Sequence, residues 1–304
     1  MSIRPAKENP VDPSYIYWKA KNFLFRNYFL YNTFLNFRYR KLSENDLTVQ
    51  EFLSTNNVKK PLLLAGPMKS GNTWARFVIF NYYNIINHDA EDTLTHKELR
   101  TQYNPYYLGE EVHPTPIEGF PVLFRTHRFY QKIFDVFSKT LYVYRHPLDT
   151  LISEYWFFKK RLEPFSNYPV QIRKKLYDLD YYVKFNLSRT LTHHKRSFPK
   201  VDVILSYEKR KLNPYEEYLR AFQEMGIEVD EKALKKSIEL SSFKNIKKMG
   251  TKKDQKSGAR ADFVGEFARS GKIKQYESEL LPETITYFKK QIRKYKIEPE
   301  LYEV

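Results

Sequence analysis

Residues 61–74 read Pro-Leu-Leu-Leu-Ala-Gly-Pro-Met-Lys-Ser-Gly-Asn-Thr-Trp. The apolar run Pro61–Gly66 is short and ends in a turn, the pattern of a buried strand, and Thr73–Ile86 reads as the helix after it. A strand that turns through glycine into a helix N-terminus aims backbone N–H groups and the positive end of the helix dipole at one point, which suits a phosphate. Ser70, Asn72 and Thr73 add side-chain donors. The loop is not a Walker A loop, because Asn72 stands after Gly71 where lysine belongs, and Lys69 comes two residues before the glycine. A lysine placed there reaches a group beyond a single bound phosphate. By itself the turn is equally explained by a tight bend before a Thr-capped helix.

Outward from this loop the pattern is that of an α/β protein. Short apolar runs recur at Val122–Arg125, Leu141–Tyr144 and Val201–Leu205, and helical stretches fall between them at Phe129–Phe137, Pro147–Arg161, 171–190 and Pro214–Met225. A last helix is expected near 282–294. Strands alternating with helices predict one α/β domain with a central, mostly parallel sheet flanked by helices, in the manner of P-loop nucleotide-binding proteins. No repeat or linker marks a second domain. The expected organisation is an N-terminal aromatic and basic helical extension over 1–57 and an α/β domain over 58–304.

The 304 residues carry 52 Lys and Arg against 36 Asp and Glu, a formal net charge of +16, with 25 Tyr, 23 Phe, nine Gly and no Cys. Abundant apolar and aromatic residues exclude a disordered chain. The absence of cysteine excludes a disulfide scaffold, a thiolate metal site and a cysteine nucleophile. The charge balance calls for an anionic partner, which composition leaves open among nucleic acid, an anionic membrane and a small polyanion. Residues 1–14 hold charges and prolines where a secretory signal would be apolar, so a cytoplasmic protein is expected. Residues 15–41 combine eleven aromatics with six Lys or Arg, and Lys19, Lys21 and Arg26 interrupt any span of a bilayer. That segment reads either as a helix packed on the domain or as a peripheral membrane contact at anionic headgroups.

Two signatures together resemble the sulfotransferases that use 3′-phosphoadenosine 5′-phosphosulfate (PAPS). The first family signature, Pro-Lys-Ser-Gly-Thr-Thr-Trp after the first strand, matches Pro67-Met68-Lys69-Ser70-Gly71-Asn72-Thr73-Trp74, with Met68 inserted and Asn72 in place of threonine. In the second, Leu141–Tyr144 runs into Arg145-His146-Pro147-Leu148-Asp149, with Ser153 two turns into the next helix. An arginine at a strand end and a serine on the following helix converge on one phosphate. Weaker matches follow in order: Val201–Tyr207 with Glu208, Ser241-Ser242-Phe243-Lys244, and Phe263–Lys272, where Ser270 replaces a family lysine and Tyr276 stands in the place of tryptophan.

The resemblance implies PAPS as cosubstrate, no metal, and in-line sulfuryl transfer to a hydroxyl, less readily an amine. It gives Lys69 the leaving group and His127 of Arg125-Thr126-His127 the general-base role, and counts Ser153 with them among the catalytic residues. Ser70, Gly71, Asn72, Thr73 and Trp74 would hold the 5′ end. Arg145, Ser153, Arg269, Ser270 and Gly271 would hold the 3′-phosphate, and Trp74, Phe243 and Tyr207 the adenine. The acceptor, a small molecule, lipid or glycan alcohol, would lie among loops near 104–119 and 156–185, with Tyr103, Tyr106, Tyr107, Trp156, Phe157 and Phe158. Two other classes fit the residues less well. A P-loop kinase needs lysine after Gly71 and a carboxylate for magnesium, and a nucleic-acid-binding protein lacks any helix-turn-helix, zinc or RNA-recognition signature here.

Overall fold

The computed structural model describes residues 44–95, 98–99, 118–160, 164–165, 168, 170–249 and 269–302, together with Thr33 and Leu35. Four strands, β1 (Leu62–Ala65), β2 (Leu123–Thr126), β3 (Lys139–Tyr144) and β4 (Val203–Ser206), form one sheet in the order β2-β1-β3-β4, every pair parallel. β1 lies between β2 and β3, with Leu63 level with Phe124 on one side and Thr140 on the other. All four of its residues are buried, as a central parallel strand covered on both faces requires.

Among the described residues the α-helices of six or more residues are α1 (Glu44–Thr55), α2 (Asn72–His88), α3 (Pro147–Lys159), α4 (Leu179–Ser197), α5 (Tyr207–Leu212), α6 (Pro214–Glu224), α7 (Glu231–Leu240), α8 (Phe243–Met249) and α9 (Pro282–Tyr295). Because strand side chains alternate, Leu62, Leu64, Leu141 and Val143 face one way and pack under α2, α6 and α7. Leu63, Ala65, Tyr142 and Tyr144 face the other way, onto Phe134 and Phe198 and toward Phe52 and Leu53 of α1. A further apolar cluster joins α3, α4 and α9 through Leu148, Tyr182, Leu187 and Phe288.

Two expected helices come out differently. Within Phe129–Phe137 only Lys132–Val136 is helical, as a 3-10 turn. The Tyr130 amide donates to the Ser197 hydroxyl on α4 at 2.9 Å instead of to a helical carbonyl, and β3 begins at Lys139, so no room for an α-helix remains. The stretch 171–190 is divided at Asp178, whose carboxylate accepts the Tyr181 amide at 2.6 Å and starts α4, after a turn at Val170–Arg173 and a 3-10 turn at Lys175–Tyr177. The segment 15–41, apart from Thr33 and Leu35, and residues 100–117 and 250–268 lie outside the described residues. No helix among the described residues is long and apolar enough to cross a membrane.

Candidate active site

The chain leaves β1 toward β2 on one side and resumes at β3 on the other, so the crevice at the carboxyl ends of β1 and β3 is a topological switch point, where open parallel sheets hold ligands. A cavity of about 320 Å³ opens there. Every strand end contributes to it: Lys69 and Gly71 after β1, Arg125 and His127 from β2, Arg145 after β3 and Tyr207 after β4. Ser153 reaches it from α3, Phe243 from α8, and Arg269, Ser270 and Gly271 from the segment before α9. With Asn72, Thr73 and Trp74 at the start of α2, all the expected site residues except Ser70 line this one space.

Close packing shapes the loop after β1. Gly66 has φ 152°, and a Cβ there would stand 2.2 Å from the Val143 carbonyl oxygen of β3, so only glycine lets the chain leave the sheet at this point. Lys69 takes a left-handed φ of 65°, which turns the chain back toward α2. Ser70 is wholly buried and its hydroxyl donates to the Pro67 carbonyl at 2.7 Å. The Asn72 amide donates to the same carbonyl at 3.0 Å and to Ser70 Oγ at 3.2 Å. Two of the expected side-chain donors therefore bond within the loop, with the Ser70 hydroxyl bracing it from inside. Gly71, at φ 98°, begins α2 with no side-chain cap, which leaves the first N–H groups of the helix for a ligand.

The lining carries five cations, Lys69, Arg125, Arg145, Lys211 and Arg269, and among the described residues no Asp or Glu. Arg145 is buried, stacks at 4.4 Å on Tyr207, donates to the Lys272 carbonyl at 2.7 Å and lies 3.5 Å from Asp149. Its Nε and the indole Nε1 of Trp74 are buried donors with no hydrogen-bond partner among the described residues. Such donors are stranded unless an acceptor enters. Burial raises the Asp149 carboxyl to about 6 against the pull of Arg145. Burial, reinforced by Arg145, lowers the Lys69 ammonium to about 8, and Nζ sits 4.5 Å over the Phe157 ring. Arg269 pairs with Glu279 at 2.8 Å and also bonds Gln275, which accepts the Ser270 hydroxyl at 2.6 Å. The Phe243 ring lies against Gly271, where a Cβ would come within 2.5 Å of it.

His127 Nδ1 lies 3.0 Å from the Gly66 carbonyl, so it carries the proton and Nε2 holds the lone pair. Burial pushes this imidazole down to about 4, which keeps it neutral and able to accept. A second histidine fixes its backbone: Tyr142 OH bonds His193 Nδ1 at 2.5 Å, and His193 Nε2 donates to the His127 carbonyl at 3.1 Å. Of the aromatics expected around an acceptor, Phe157 lines the cavity, whereas the Trp156 indole donates to Glu279 at 2.9 Å and Phe158 packs into the cluster of α3, α4 and α9. Tyr103, Tyr106 and Tyr107 lie outside the described residues.

Sequence reading passed over Arg125, Lys211, Gln275 and His193. Arg125 carried a usable signal, since it precedes His127 by two residues and period-two alternation sends both to one side of β2. His193 carried none, because its partners, Tyr142 on β3 and the His127 carbonyl just after β2, are distant in sequence.

The sulfotransferase domain family model matches residues 59–299. Two solved structures resemble the chain in fold, retinol dehydratase in complex with androsterone and the inactive cofactor PAP, and retinol dehydratase in a complex with retinol and PAP. Each is 16% identical at a TM-score of 0.58, over 84% of this chain and 86% of that one. With that match running from just before β1 to the end of α9, the chain belongs to the sulfotransferase domain family.

Proposed function

We propose that this sulfotransferase moves the sulfuryl group of PAPS to an alcohol, and that the cation-lined cavity at the strand ends is where it does so. One observation carries the reading: five cations and two stranded buried donors surround a space of nucleotide size with no described carboxylate among its lining. A small polyanion supplies the negative charge that this lining lacks. The 5′-phosphosulfate lies at Gly71, Asn72 and Thr73 on the N-terminus of α2, the adenine between Trp74 and Phe243 with Tyr207 at its edge, and the 3′-phosphate against Arg145, Ser153, Arg269, Ser270 and the Gly271 backbone. Residues 58–304 form the catalytic domain and residues 1–57 an extension to it.

In the reaction the acceptor oxygen attacks sulfur, the bond from sulfur to the bridging phosphate oxygen breaks, and 3′-phosphoadenosine 5′-phosphate (PAP) departs with the electron pair. Lys69 neutralises the charge that gathers on the departing oxygen. His127 Nε2 takes the acceptor proton. Its low basicity rises when the sulfate and phosphate charges arrive, since opposite charge favours the imidazolium. The resembling structures hold retinol and androsterone, both apolar alcohols, and Met68 and Phe157 offer an apolar wall beside His127 for such an acceptor.

The test is transfer of label from PAPS, with phenols, sterols, glycans and glycolipids offered in turn. Sulfated product from at least one class supports the reading, and none from any class opposes it. His127→Gln is expected to lower kcat by about 10²–10⁴-fold while PAP affinity stays near that of the parent protein. A fully active variant would assign the proton to another group.

A further inference from the structure

Arg210 on α5 is completely buried and lies directly behind the phosphate loop. Its Nε donates to the Ser206 carbonyl at 3.1 Å, one terminal nitrogen to Gly71 O at 3.3 Å and Tyr218 OH at 3.2 Å, and the other to Ser70 O at 3.4 Å. The guanidinium sits 4.9 Å from the Trp74 ring centre. All these partners are neutral. The nearby carboxylates are engaged elsewhere, Glu208 with the His146 amide and Glu217 with Arg220 and the Ser206 amide. A buried cation with no counter-ion among the described residues is expensive to hold, and carbonyls and an aromatic face recover only part of the loss of water.

The two gripped loop carbonyls explain why it is held. In a trans peptide the N–H points opposite to the C=O. Ser70 O belongs to the peptide unit that carries the Gly71 N–H, and Gly71 O to the unit that carries the Asn72 N–H. With both oxygens turned back onto Arg210, both amide hydrogens turn toward the cavity that Gly71 and Asn72 line. A cation on the oxygen side polarises each unit and strengthens its N–H as a donor. Gly71 leaves room for this arrangement, since a Cβ there would stand 2.9 Å from the guanidinium.

We propose that Arg210 is a positioning residue for the phosphate loop, holding from behind the two peptide units whose amide hydrogens receive the 5′-phosphosulfate and supplying the buried charge that the nucleotide neutralises. This rests on the nucleotide reading given above. It predicts a loss confined to the 5′ end of the ligand, because the 3′-phosphate is held by Arg145 and the residues before α9.

The experiment compares PAP with adenosine 3′-phosphate by calorimetric titration of the full chain, the Arg210→Met variant and the Arg210→Lys variant. Arg210→Met is expected to weaken PAP by about 10²-fold and adenosine 3′-phosphate by less than about 3-fold, with KM for PAPS rising more than kcat falls. Arg210→Lys keeps the charge but cannot fork to two carbonyls, so its PAP affinity is expected to fall by about 10-fold. Should Arg210→Met fail to fold, the same split between the two nucleotides in Arg210→Lys decides the matter. Equal losses for both nucleotides, or none in a folded variant, would overturn the proposal. If the parent protein binds neither nucleotide, the nucleotide reading falls and takes this assignment with it.

Discussion

Lys69→Ala is expected to lower kcat for sulfuryl transfer by about 10²–10³-fold while changing PAP affinity far less. The lysine stands on the loop ahead of α2, at a left-handed φ of 65°, and lines the cavity beside Phe157. An ammonium held there stabilises charge that develops only as the bond from sulfur to the bridging oxygen breaks, so its removal falls on kcat before KM. Burial and Arg145 lower this group to about 8 in the free protein. Its charged form is therefore lost as pH rises through about 8, and kcat/KM for PAPS should decline above that value. At the other limb His127, pushed down to about 4, stays neutral across the whole interval. A Lys69→Ala enzyme with parental kcat, or a kcat/KM profile level from pH 7 to beyond 9, would remove Lys69 from the chemistry.

A steep loss of stability in mild acid is the second large expectation. His146, His193 and His194 are buried in the core, and burial drives the first two down to about 3 and the third well below its usual value. His127 is depressed to about 4 for the same reason. Each has a folded pKa below its unfolded one, so the unfolded chain binds protons that the folded chain refuses. The stability they contribute is present above pH 6.5 and is lost as pH falls below it, by about 1.4 kcal/mol per pH unit for each. Asp149 works in the opposite sense below about 6, because its carboxyl protonates earlier in the folded state. Four imidazoles less one carboxyl leave about 4 kcal/mol per pH unit between pH 6 and 5, a large share of the stability of an ordinary domain.

Thermal melting from pH 7.5 to 5 reads this directly. His146→Phe, placed where the ring stacks on Tyr276 at 4.3 Å, should flatten the decline by one proton. A melting temperature indifferent to pH across that range would mean that the histidines protonate in the folded state.

The reading of residues 61–74 positioned the sheet and the loop because each signal there is local: four consecutive buried apolar residues, a glycine at the sheet edge and a helix start within one turn. Arg145, Ser153 and His127 were legible through the family signatures, whose matched residues each follow a strand at short range. Arg210 was not. Within Tyr-Glu-Lys-Arg-Lys it reads as one more solvated cation, and only the approach of α5 to a loop far earlier in the chain buries it. The inward turn of the Ser70 hydroxyl was equally hidden, because it follows from where the Pro67 carbonyl points. Phe129–Phe137 has the apolar content of a helix, but a hydrogen bond to Ser197 and the start of β3 leave space for a 3-10 turn alone. The net charge of +16 also becomes partly intelligible, as a cavity that gathers five cations around one space.

Calorimetric titration of PAP against adenosine 5′-phosphate, in the parent protein and in Arg145→Ala, tests the central claim most directly. One PAP per chain is predicted, bound at least about 10-fold more tightly than adenosine 5′-phosphate, because a bidentate arginine–phosphate contact adds more than 1.4 kcal/mol. Arg145→Ala should erase most of that preference and leave adenosine 5′-phosphate nearly unchanged. Equal affinity for the two nucleotides in the parent protein, or equal losses in the variant, would contradict a cavity built for a 3′-phosphorylated nucleotide.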